Sequence, residues 1–106
     1  MAAFHNRETI EVIARNFAEL AKKEMDIKNV YLYGSAVKGT STEDSDIDIA
    51  VVGDDFIGDP TEDTFKLLKI RRKIDYRIES RPFRSCEFNK SDPFVKEILP
   101  TGIKVL

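Results

Sequence analysis

The chain has 106 residues, of which 42% are hydrophobic and 9% aromatic, enough for one core and too apolar for a disordered or collagen-like chain. This length predicts a single domain, residues 1–106, and the longest apolar run, Ile49 to Val52, is far short of a membrane-spanning helix. The formal net charge is only −2, but residues 40–63 hold nine acids and no base, whereas residues 66–90 hold nine bases against three acids.

With one cysteine, Cys86, and one histidine, His5, the chain can form neither an internal disulfide nor a Cys/His zinc site. No membrane partner is expected, nor direct nucleic-acid binding, because the chain lacks a basic excess. A cytoplasmic location fits the absence of an apolar leader.

From Glu8 to Glu24, Ile10, Ile13, Ala14, Phe17, Leu20 and Ala21 recur at three- and four-residue steps, which predicts an amphipathic helix capped by Asn6 or Thr9. Val30 to Tyr33 is a β-branched and aromatic run that ends at Gly34-Ser35, a strand breaking into a turn. The small, polar stretch from Ala36 to Ser45 has room for one short helix. Asp46 to Val52 alternates as a strand, with Asp46, Asp48 and Ala50 on one face and Ile47, Ile49 and Val51 on the other.

Asp59 as cap and Pro60 at the first helical position open a second helix, its apolar side assigned to Phe65, Leu67 and Leu68, its end to the basic Lys69–Lys73 segment. Lys73 to Glu79 alternates again, with Ile74, Tyr76 and Ile78 opposite Asp75, Arg77 and Glu79, and reads as a third strand. Ser91 or Asp92 with Pro93 starts a helix through Leu99 that Pro100 stops, and Gly102 to Leu106 forms a last short strand. Strands and helices in this order predict an α/β or α+β sheet covered by helices.

Asp46 and Asp48, two apart on a strand, project from one face with Cα atoms ~6.6 Å apart. Such a pair can share hard cations such as Mg²⁺, which favour carboxylate, water and phosphate oxygens. Without a cation the two charges only repel. Asp75, on the polar face of the next strand, is the preferred third carboxylate, with Glu79 in reserve. The Gly34-Ser35 turn can hold phosphate oxygens through its N–H groups and hydroxyl, Gly34 allowing close approach. A calcium loop built on Asp44, Asp46 and Asp48 fails, because Ile49 stands where that loop needs glycine and Asp55 where it needs glutamate.

The segment Tyr31-Leu32-Tyr33-Gly34-Ser35, ten residues, Asp46-Ile47-Asp48-Ile49 resembles the signature of the polymerase-beta-like nucleotidyltransferases, and the chain's size resembles the minimal nucleotidyltransferases, MNT. The later Lys73-Ile74-Asp75-Tyr76-Arg77 matches where that family places its third acid.

The resemblance implies an α+β fold, an α/β sandwich whose mixed sheet is flanked by helices. It implies that Asp46 and Asp48 bridge two Mg²⁺ ions, that Asp75 holds the catalytic ion and helps deprotonate the acceptor, and that Gly34 and Ser35 hold the triphosphate of ATP or another nucleoside triphosphate. Many members carry Arg directly after Gly-Ser; this chain has Ala36 there, with Lys38 the nearest base. The implied reaction is attack of a hydroxyl on the α-phosphate with release of pyrophosphate. The implied context is a toxin–antitoxin system in which AMP passes to a tyrosine of a HEPN-type partner. The other reading is a non-catalytic antitoxin module that binds nucleotide or a HEPN protein without turnover.

Overall fold

The computed structural model describes residues 7–39 and 45–106. The Asn6 cap, His5 and the acids Glu43 and Asp44 lie outside the described residues. The order is helix α1 (Arg7–Glu24), strand β1 (Ile27–Tyr33), a one-turn helix α2 (Ser35–Lys38), β2 (Ile47–Gly53), α3 (Pro60–Ile74), β3 (Ile78–Phe83), a single 3₁₀ turn at Ser85–Glu87, α4 (Pro93–Thr101) and β4 (Ile103–Lys104).

The four strands form one mixed sheet in the order β3-β2-β1-β4, with β1 antiparallel to β2 and β4, and β2 parallel to β3. Strand alternation divides the core. On one face Val30, Leu32, Ile47, Ile49, Val51 and Ile78 pack beneath α1, which contributes Ala14, Phe17, Ala18 and Ala21, and α3, which contributes Leu67 and Ile70. On the other, Ala50, Val52 and Phe83 pack beneath Val95 and Ile98 of α4. Because both faces are covered, β2 is buried almost along its length, as strands in a parallel pair usually are. Among the described residues no helix is long and apolar enough to cross a membrane.

Three expectations are corrected. Residues 73–79 are not a strand: α3 runs on to Ile74, because Leu67, Ile70 and Ile74 continue a helical stripe that begins at Asp63. Tyr76, assigned to a buried strand face, is 80% exposed. The third strand begins at Ile78 and includes Pro82, which an edge strand tolerates because one side of its backbone needs no ladder hydrogen bond. The inner side of α3 is also rotated from the expected one: Asp63, Leu67 and Ile70 are buried, Leu68 is half-buried and Phe65 is exposed. At α4 the helix extends one residue past Pro100, to Thr101.

Asp63 is the buried charged residue of the described core, 2% exposed. Its Oδ1 accepts from the Ile57 amide at 3.0 Å and its Oδ2 from the Gly58 amide at 2.9 Å, so one carboxylate in the first turn of α3 fixes the loop between β2 and α3. Its position also favours the negative charge through the helix dipole. Removing the acceptor leaves two amides unpaired, which costs about 2 kcal/mol. Asp63→Ala should therefore lower the melting temperature by roughly 10 °C in a thermal melt, and Asp63→Asn, which keeps one carbonyl oxygen, by less.

Candidate active site

The register of three strands builds the site. Tyr33 of β1 lies opposite Asp48 of β2, and Asp48 lies beside Glu79 of β3, so these three side chains form one row across one face of the sheet. Two residues along, Tyr31, Ala50 and Arg81 form the next row, and Val52 with Phe83 continues it towards the apolar half. Helix α4 covers that half. The row holding Asp48 and Glu79 opens onto a cleft of about 520 Å³ that follows β3 past Arg81 to Gly58 and Arg84.

Arg81 is held over the ring of Phe94, 4.3 Å from its centroid, with its positive charge beside the Tyr33 phenol. Phe94 meets Tyr33 edge-on and stacks on Phe83, so the aromatic packing under α4 fixes where the guanidinium stands.

Asp46 precedes β2 and is exposed, two residues before Asp48. Burial raises the pKa of Asp48, and the charges of Asp46 and Glu79 raise it further against the opposing pull of Arg81. Burial and then the negative charge of Asp48 push the Tyr33 phenol upward as well. Negative charge is thus concentrated where a cation would relieve it. Among the described residues no group of three or more acidic, histidine or cysteine side chains is gathered closely enough to hold a metal ion. Asp48 and Glu79, side by side in the register, are oxygen donors of the kind a hard ion takes together with water or phosphate oxygens.

Gly34 adjoins this row. Its φ is +79°, a conformation that glycine adopts freely, and a Cβ there would run into the Asp48 carboxylate, whose Cγ would lie 3.2 Å away. The turn after β1 therefore presses its backbone against Asp48, and Ser35 opens α2 from that turn. Ala36 points into the core at 3% exposure, so a long cation at this position would be buried, whereas Lys38 is exposed at the end of α2.

Asp75 does not join the site as expected. It is the C-cap of α3, three residues ahead of β3, and its carboxylate accepts from the Arg77 backbone N at 2.9 Å, Nε at 3.1 Å and Nη2 at 2.8 Å. These hydrogen bonds from Arg77 hold its pKa below the usual carboxylate range. The acid brought beside Asp48 is Glu79. In the sequence the stripe Asp63, Leu67, Ile70, Ile74 carries the helix through Ile74, in competition with the period-two alternation of Ile74, Tyr76 and Ile78. Tyr33 and Arg81 were not singled out for the site.

Comparison with known proteins places these observations. A model of the family described as Polymerase beta, Nucleotidyltransferase matches residues 15–106. A candidate nucleotidyltransferase from Sulfolobus solfataricus has a similar crystal structure, with TM-score 0.65, 18% identity and coverage of 92% of this chain and 80% of that one. A chain of a toxin–antitoxin complex crystallised with AMP-PNP aligns with TM-score 0.60 and 19% identity over 87% of this chain and 72% of that one. A chain of a mutant MntA–HpeT toxin–antitoxin complex aligns with TM-score 0.54 and 18% identity, over 86% and 73%. At these identities the likeness is one of fold, the α+β arrangement described above. No curated protein matches the sequence significantly.

The crowding at Asp48 predicts a stability effect whose sign is fixed. A carboxyl group whose pKa is higher in the folded state contributes stability below its unfolded pKa and loses it as pH rises through the folded one. In metal-free buffer at pH 7, Asp48→Asn should therefore raise the melting temperature and flatten the decline in stability that the unsubstituted protein shows above pH 4. Added Mg²⁺ should raise the melting temperature of the unsubstituted protein and leave Asp48→Asn unmoved.

Proposed function

The chain belongs to the polymerase beta nucleotidyltransferase family, and on that premise we propose that it is a Mg²⁺-dependent enzyme transferring AMP from ATP to a hydroxyl of a HEPN-type partner protein. The observation that carries this reading is the row in which Asp48 and Glu79, with Asp46 nearby, face a cleft beside the Gly34 turn.

In this reading Asp46, Asp48 and Glu79 would hold two Mg²⁺ ions, Glu79 taking the part expected of Asp75. Such ions activate a hydroxyl and neutralise charge on the entering and leaving oxygens. Gly34 and Ser35, with Lys38 as the nearest cation, hold the triphosphate on the β1 side of Asp48. The β3 side is where the cleft lies, so the acceptor enters there, opposite the departing pyrophosphate. The acceptor oxygen bonds to the α-phosphorus, the bond to pyrophosphate breaks, and Glu79 receives the hydroxyl proton. The AMP-PNP and toxin–antitoxin context of similar folds supports both the nucleotide and the partner.

The test uses α-labelled ATP, Mg²⁺ and the protein with its co-purified partner. Label should pass to the partner, and Asp46→Asn, Asp48→Asn and Glu79→Gln should each reduce the rate roughly 100-fold or more, as should EDTA. Asp75→Asn should lower the melting temperature, by loss of its Arg77 contacts, while retaining transfer at a temperature where the protein is folded. Loss of transfer in folded Asp75→Asn, with Glu79→Gln active, would return the third acid to Asp75. Metal-dependent ATP binding without any transfer would identify a non-catalytic binding module.

A further inference from the structure

Phe65, at 56% exposure, Ile57, at 62%, and Tyr76, at 80%, are three of the four exposed large hydrophobic residues among those described, and all lie on α3 or at its two ends. At 100° per residue, Thr61, Phe65, Leu68 and Arg72 fall in a 4-3-4 pattern on the side of α3 opposite the buried Asp63, Leu67 and Ile70. The open groove there, about 650 Å³, is lined by Pro60, Thr61, Glu62, Thr64, Phe65 and Leu68. A stripe spaced in this way is what packs against a second helix.

The charges beside the stripe say which helix. Along one flank the order is Glu62, Lys66, Lys69, Lys73, acid near the start of α3 and bases beyond it, with Lys66 donating to the Asp55 carbonyl at 2.8 Å and Lys73 paired with Glu24 of the same chain at 3.5 Å, which leaves Glu62 and Lys69 facing outward. Lys69 lies over the Phe65 ring, its Nζ 5.6 Å from the centroid, so it borders the same apolar surface. If a copy of α3 is laid antiparallel, with Phe65 against Leu68 of the second copy, Thr61 meets Arg72, and Glu62 falls within about half a turn of Lys69 of that copy. The two-fold axis repeats every contact, and the exposed Ile57 of one chain comes to the end where the other carries Tyr76. A uniformly acidic or basic partner would match only one end of this flank.

We infer that α3 is a self-complementary surface through which two copies of this chain form an antiparallel, two-fold dimer. The interface is isologous, so each substitution acts twice. It lies on the outer side of α3, and it does not depend on the nucleotidyltransferase reading.

Sedimentation equilibrium tests it directly. The unsubstituted chain should reach twice the chain mass by roughly 100 μM, a range suited to an interface of this modest size. Phe65→Glu should weaken association about 100-fold while circular dichroism and the melting temperature stay close to those of the unsubstituted chain, because the side chain is exposed. Glu62→Lys and Lys69→Glu alone should each weaken it at least about fivefold, symmetry doubling an exposed charge-pair effect. The double variant Glu62→Lys/Lys69→Glu should recover the original affinity. A monomeric unsubstituted chain overturns the proposal, as does a double variant no better than the singles. A monomer whose co-purified partner is lost on Phe65→Glu also overturns it, and gives this face to a foreign chain.

Discussion

The parallel pairing of β2 with β3 decides which acidic groups meet. Hydrophobic residues at Ile47, Ile49 and Val51 hold β2 in the sheet with one face towards α1 and α3, which obliges Asp48 and Ala50 to face the other way. With β3 beginning at Ile78, the same register sets Glu79 beside Asp48 and Arg81 beside Ala50. A one-residue slip would turn Asp48 and Glu79 to opposite faces, so the core that fixes the register also fixes the site. The apolar interior on one side of the sheet thus positions charge on the other.

Much of this was open to reading from local pattern. The helix over Glu8–Glu24 shows because its period is clean, and the strand that carries Asp48 shows because Ile47, Ile49 and Val51 alternate with it, although Asp46 lies just ahead of that strand. Asp75 misled because Ile74, Tyr76 and Ile78 alternate at period two while Ile70 and Ile74 also continue a helix, and nothing local decides between them. The decision comes from the long-range register with β2 and from packing against α1. Phe65 and Leu68 misled for another reason: they are more apolar than Asp63, yet Asp63 occupies the inner side because two loop amides satisfy its carboxylate. Acids are rarely buried unless paired, and the pairing partners here are backbone groups that a side-chain pattern does not reveal.

That rotation of α3 links its two surfaces. Asp63 turns inward to hold Ile57 and Gly58, and the helical period then places Phe65 outward with Leu68 at the margin. The inner face therefore determines what the outer face exposes, and the self-complementary stripe follows from it. The groove and the cleft share Pro60 and Thr64 in their walls, so both are anchored to the beginning of the same helix.

The acidic row works against the stability of the metal-free fold. Burial and the neighbouring Asp46 and Glu79 disfavour the Asp48 carboxylate, and Arg81, held over the Phe94 ring, offsets this only in part. A guanidinium drawn fully onto Asp48 would relieve the repulsion and compete with any cation for its oxygens. Phe94 instead keeps Arg81 to one side, where it tempers the field without closing the carboxylate. The same packing that buries Phe83 under α4 thus leaves Asp48 uncomfortable as an anion and open to a ligand. Binding of a divalent cation would then contribute to folding as well as to chemistry, because a ligand that binds only the folded chain shifts the folding equilibrium towards it.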